Sequence, residues 1–208
     1  MLDENALYGV LDEQGLLDGY VHTLASRSLA DFEVASPDDP TPRNALDALS
    51  AYIEVPTRAN AYTAHLAAYS VAPSVGRSDV RRRRTNNVID TAIWCAAEAA
   101  QRAALVPYAD KRPWAAIMAA EDSAAAVMYF TEAALASELA PDEAEHMAEE
   151  AHRTESDWQL RYAIGLAYPA LDGAPASIAL SLAAEFDWTF PDLITITHSI
   201  CLEHPLVE

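Results

Sequence analysis

Glycine is scarce in this 208-residue chain: there are six, none close enough to another to form G-x-G-x-x-G or a phosphate-cradling loop. Lysine is nearly absent, with Lys111 alone against twelve arginines. The two cysteines, Cys95 and Cys201, make neither a disulfide framework nor a C-x-x-C pair, and each is expected to be a small buried hydrophobe. There is no G-x-S-x-G, no H-E-x-x-H and no Cys/His zinc spacing. No stretch reaches the ~18 uncharged apolar residues that span a bilayer. The longest Ala-rich run, from Ala115 to Leu135, is cut by Glu121, Asp122 and Glu132. The acidic start, Met1-Leu2-Asp3-Glu4, lacks the basic and apolar regions of a secretory signal. These absences remove the common nucleotide-loop, elbow-serine and zinc-protease enzymes and point to a cytoplasmic protein with no membrane partner.

What is present is alanine, at 43 positions, within a composition that is 51% hydrophobic. Alanine has the highest helix propensity, so the composition leans helical, and a chain of this length buries enough surface to hold a core unaided. The formal charge is −19 and unevenly spread: −8 over residues 1–60, +4 over 61–113 and −15 over 114–208. Such a field repels nucleic acid and attracts basic partners. Habitat in high salt would account for the same acidity.

The helical pattern is strongest from Leu17 to Ala35, where Leu17, Tyr20, Val21, Leu24, Ser28 and Phe32 share one face. A shorter helix precedes it over 3–11. The Pro-rich stretch 36–42 reads as a loop ending in Thr41 as a cap, with Leu46, Leu49 and Ile53 on the next stripe. Further helices are expected over 57–71, with Tyr62, Leu66 and Tyr69 on one side; from Asn87 to Leu105; and from a cap at Asp110 to Leu135. Another runs from Pro141 to about Ala167, and a short one holds Ile178, Leu182 and Phe186. The last, around 193–200, alternates like a strand but has capping-box spacing at Thr189 and Asp192, and is taken as helix. The expected fold is all-α: an irregular bundle of eight or nine helices in a single domain over 1–208, with the loop at 36–42 and an Arg-rich connection at 74–86.

Two clusters carry possible chemistry. Glu143/His146 and Glu149/His152 form two E-x-x-H units, and residues at i and i+3 lie on one side of a helix, where each pair could grip a metal such as iron or manganese. Inward Glu98, Glu121 or Glu132 could complete such a centre. Over about ten residues this resembles the ligand spacing of ferritin-like di-iron proteins. That family places its two units on different helices, whereas here they lie six residues apart on one helix, rotated by roughly 120°. The competing reading is a solvated acidic face.

The second cluster is Arg77, Arg81, Arg82, Arg83 and Arg84, whose guanidinium forks suit phosphate or an acidic partner, or else neutralise the acidic remainder of the protein. His22 and His65 read as residues at the core edge, and Trp94, Trp114, Trp158 and Trp188 as core anchors. Cys201 with Glu203 and His204 is a weaker nucleophile-and-base grouping. The charge and the missing motifs together point to a non-enzymatic interaction protein, an inhibitor, immunity-type protein or charge mimic that meets a basic partner. The alternatives are a carboxylate/histidine metalloprotein, with an oxidase as its enzymatic form, and a structural subunit forming homo-oligomers.

Overall fold

The computed structural model describes residues 4–71 and 88–167. Among the described residues there are seven α-helices and no strand: α1 (Glu4–Glu13), α2 (Leu17–Ala35), α3 (Thr41–Glu54), α4 (Arg58–Ser70), α5 (Val88–Leu105), α6 (Arg112–Leu135) and α7 (Pro141–Ala167), with a 3-10 turn at Val106–Tyr108. None is long and apolar enough to cross a membrane. The helices expected around 178–186 and 193–200 lie outside the described residues.

Local chemistry explains the boundaries. α1 ends at Gly15, whose φ of +71° costs little without a Cβ. The Gly15 N–H donates to Asp12 O and the Leu16 N–H to Leu11 O at 2.8 Å, a Schellman closure that returns the chain directly into α2. α3 starts at Thr41, but Thr41 is not the cap: Asp39 Oδ1 accepts from the Thr41 N–H at 2.9 Å and from its hydroxyl. Likewise α6 begins at Arg112, with no side-chain cap from Asp110 or Lys111. Thr57 does cap α4, accepting from the Asn60 N–H at 3.2 Å. The end of α4 is finished from another helix: buried Gln101 of α5 donates through Nε2 to the carbonyls of Ala68 and Val71. That satisfies acceptors the helix end leaves open.

Two kinds of packing meet in one core. The large side chains come from α1, α2 and α3: Leu7, Leu11, Leu17, Tyr20, Leu24, Phe32, Leu46 and Leu49 are fully buried. Each contributes about 1.5–3 kcal/mol by leaving water. α5 and α6, which pack on each other, instead bury small residues: Ala92, Ala96, Ala99 and Ala103 on α5, and Ala116, Ala119 and Ala126 on α6, where the Ser123 hydroxyl also donates to the Leu24 carbonyl of α2. Small side chains let two helix axes approach closely. α5 is the hub, touching α2, α3, α4 and α6, while α6 also packs on α1, α2 and α7.

Some faces differ from the pattern in the sequence. Every member of the α2 stripe is buried, whereas Ile53 of the α3 stripe is 39% exposed. On α4 the aromatic side turns outward: Tyr62, Leu66 and Tyr69 are exposed, and Ala61, Ala64 and Ala68 pack inward. Packing on the alanine-lined α5 favours the small face.

Candidate functional site

The feature with the most chemistry is a cleft of about 600 Å³ lined by residues of α2, the end of α3, Arg112 and the end of α7. One wall is the first turn of α2. There Asp18, only 8% exposed, accepts at Oδ2 from Arg112 Nη2 at 2.8 Å, while its Oδ1 is sheltered from solvent without a hydrogen-bond partner. Arg112 makes a bond from each of its three nitrogens: besides Asp18, Nε donates to Asp12 Oδ1 at 2.7 Å and Nη1 reaches Val106 O at 3.4 Å. One guanidinium therefore serves two carboxylates, and the trio carries one net negative charge.

Burial raises the Asp18 carboxyl above its ordinary value and Asp12 adds to the rise, although Arg112 opposes it. Burial also works against the charge on Arg112, but the hydrogen bonds it donates to Asp18 and Asp12, with their negative charge, outweigh it and hold the guanidinium protonated. His22, one turn beyond Asp18, is half-buried in the same cleft, and burial lowers its basicity against the opposing pull of Asp47. Tyr162 stacks at 5.8 Å on Tyr20, whose hydroxyl donates to the Gln159 carbonyl.

The Schellman turn builds this arrangement by delivering Asp12 and Asp18 to the same arginine from consecutive helices. In the sequence Asp18 was visible only as an uncertain helix boundary. The one available signal was the i, i+4 pairing of Asp18 with His22 beside an apolar stripe.

A second arginine repeats the pattern between α5 and α6. Arg102 pairs with Asp122 and, at 3.4 Å, with Glu98. Burial pushes the Asp122 carboxyl up to about 6, with Glu98 and Glu121 adding to the rise against the pull of Arg102. Beside them Cys95, buried as expected, has its thiol pushed up to about 12 by burial and by Asp122 and Glu98. Glu98 thus belongs to an ion pair, and Glu121 is exposed.

The acidic segment of α7 is a surface. Glu143, His146 and Glu149 are exposed and His152 is half-buried. Ala144 and Ala148 supply the inward face. Among the described residues no three His, Cys, Asp or Glu side chains converge on a point where a metal ion could sit. Nor does any ion pair among the described residues involve Asp142, Glu143, Glu145, Glu149 or Glu150.

Arg77, Arg81, Arg82, Arg83 and Arg84, together with Trp188, Cys201, Glu203 and His204, lie outside the described residues. Of the remaining tryptophans, Trp94 and Trp158 pack partly buried against the core, but Trp114 is 56% exposed and anchors nothing inside. A small aromatic surface surrounds His65, whose ring lies 4.6 Å from Tyr108 and 4.8 Å from Tyr69, with Tyr62 at 6.2 Å.

The chain matches no protein-family model, no curated protein and no solved structure.

Proposed function

We propose that this protein is a non-enzymatic, cytoplasmic interaction protein whose acidic helical surface meets a basic partner, the whole chain forming one bundle of eight or nine helices. The observation that carries this reading is the carboxylate row on the first turns of α7. Asp142, Glu143, Glu145, Glu149 and Glu150 are all exposed, and no lysine or arginine lies among them. Unpaired surface carboxylates speed and orient encounter with a cationic surface. The exposed aromatic residues of α4 and Tyr108 supply the kind of side chain that anchors a contact once it forms. A self-assembling subunit is less well supported, because the described alanine faces of α5 and α6 are consumed inside the chain.

The test is capture of a basic protein from source cells, followed by association kinetics. The association rate should fall roughly ten-fold or more between about 50 mM and about 500 mM salt. Replacing Glu143, Glu145, Glu149 and Glu150 with glutamine should reproduce that fall at low salt. A rate insensitive to both changes overturns the reading. The alternative metal site keeps its own support, since each of Glu143/His146 and Glu149/His152 lies on one side of α7. Iron or manganese bound to the native protein, and lost from the His146→Ala/His152→Ala variant, would replace the proposal.

A further inference from the structure

We propose that the cleft beside Asp18 is a binding site for a small organic amine, protonated and carrying an apolar body. Three observations on different residues converge. First, the volume of about 600 Å³ falls within the range of sites that enclose small organic molecules.

Second, the cleft wall holds a buried acceptor in excess. Asp18 Oδ1 lacks a partner, whereas each bonded donor of Arg112 is already committed to Asp12, Asp18 or Val106. A buried carboxylate oxygen left without a donor is costly; Oδ1 has no solvent-exposed surface here, so a ligand N–H recovers a charge-assisted hydrogen bond to it with a small turn of the Asp18 side chain. With Asp12 and Asp18 against one arginine, the trio's charge is negative. That net negative charge disfavours an anionic ligand, and an ammonium group balances it.

Third, most of the remaining lining is apolar or aromatic, with Tyr52, Ile53 and Pro56 from the end of α3 and just beyond it and Tyr162 and Leu166 from α7, while Thr23 and Ser50 are polar. Tyrosine faces attract a cation and accept an apolar body equally well. The backbone leaves room for this: a Cβ built on Gly19, one residue after Asp18 in the cleft wall, meets no atom within 4 Å. The site uses none of the α7 carboxylates, so it stands or falls separately from the protein-binding surface.

The experiment is calorimetric titration of the full chain with phenethylamine, with phenethyl alcohol as the uncharged comparison. The amine should bind saturably, one per chain, and roughly ten-fold or more tighter than the alcohol. Asp18→Asn should weaken the amine roughly ten-fold or more and leave the alcohol nearly unchanged. Because Asp18 also anchors Arg112, a second variant guards against a folding defect: Gly19→Leu fills the open space without touching an ion pair and should abolish binding of both compounds. Equal affinity for amine and alcohol overturns the proposal. So does binding that survives both substitutions, or no saturable binding up to about 10 mM, far above the range of specific sites.

Discussion

Arg27 of α2 grips Glu155 of α7 with two parallel hydrogen bonds, Nε to Oε1 at 3.0 Å and Nη2 to Oε2 at 2.8 Å, across 128 residues of chain. The guanidinium also lies 3.8 Å over the Trp158 ring. Glu155 is 5% exposed and Arg27 is half exposed, so the carboxylate depends on this partner more than the arginine does. Replacing Arg27 with methionine should therefore lower stability by about 2 kcal/mol, because it strands a buried charge. Adding Glu155→Gln should restore part of the loss. A urea double-mutant cycle measures this, and strictly additive effects would show that the pair is not coupled.

The alanine layer predicts an asymmetry. Ala99 is fully buried between α5 and its neighbours, whereas Ala30 of α2 is exposed. Ala99→Leu should destabilise by roughly 1–3 kcal/mol through overpacking, while Ala30→Leu should change stability by less than about 0.5 kcal/mol. Equilibrium denaturation of both variants would reveal an open layer if the two costs were alike.

The Arg102 cluster makes stability pH-dependent in a direction opposite to that of most paired carboxylates. Asp122 has an ordinary value of 3.8 and is pushed up to about 6 in the folded protein, so the folded state holds its proton more tightly. Its contribution is greatest below 3.8 and is lost as pH rises toward 6. Wild type should therefore lose roughly 1–3 kcal/mol relative to Asp122→Asn between acid and neutral pH. Denaturation of both proteins at several pH values checks the sign; parallel curves would mean that Asp122 is ionised without cost.

Cys95 should be inert in the folded protein. With its thiol pushed up to about 12 from an ordinary 9.0, the thiolate fraction at mildly alkaline pH is roughly a thousand-fold lower than for an exposed cysteine. Mass mapping after iodoacetamide treatment should find Cys95 modified only once the protein is unfolded. Labelling at the rate of a free thiol would show that α5 opens easily around it.

Much of the architecture was legible residue by residue. The α2 stripe, the helix from Pro141 to Ala167 and the stop at Leu135 all follow from periodicity, proline placement and alanine propensity, which act within a few residues of chain. The exposure of the α7 acids was legible too, because no apolar stripe on that side demanded burial. The caps at Thr41 and Asp110 were misplaced by one or two residues, since Asp39 reaches forward and α6 starts without a side-chain cap.

The candidate cleft was not legible. Asp18 meets Arg112 across 94 residues and Asp12 meets it across 100, and no local signal marks either pairing. The outward turn of Tyr62 and Tyr69 was equally hidden, because a helix with an aromatic side and an alanine side can bury either. By itself, then, the sequence determined an acidic, alanine-rich helical chain and, to within a residue or two, where its described helices begin and end, because propensity, proline and net charge are local or summed properties. Which carboxylates share an arginine, which oxygen is left without a donor and which face of α4 meets water were decided only by tertiary packing, because those depend on what distant helices bring to the same few ångströms.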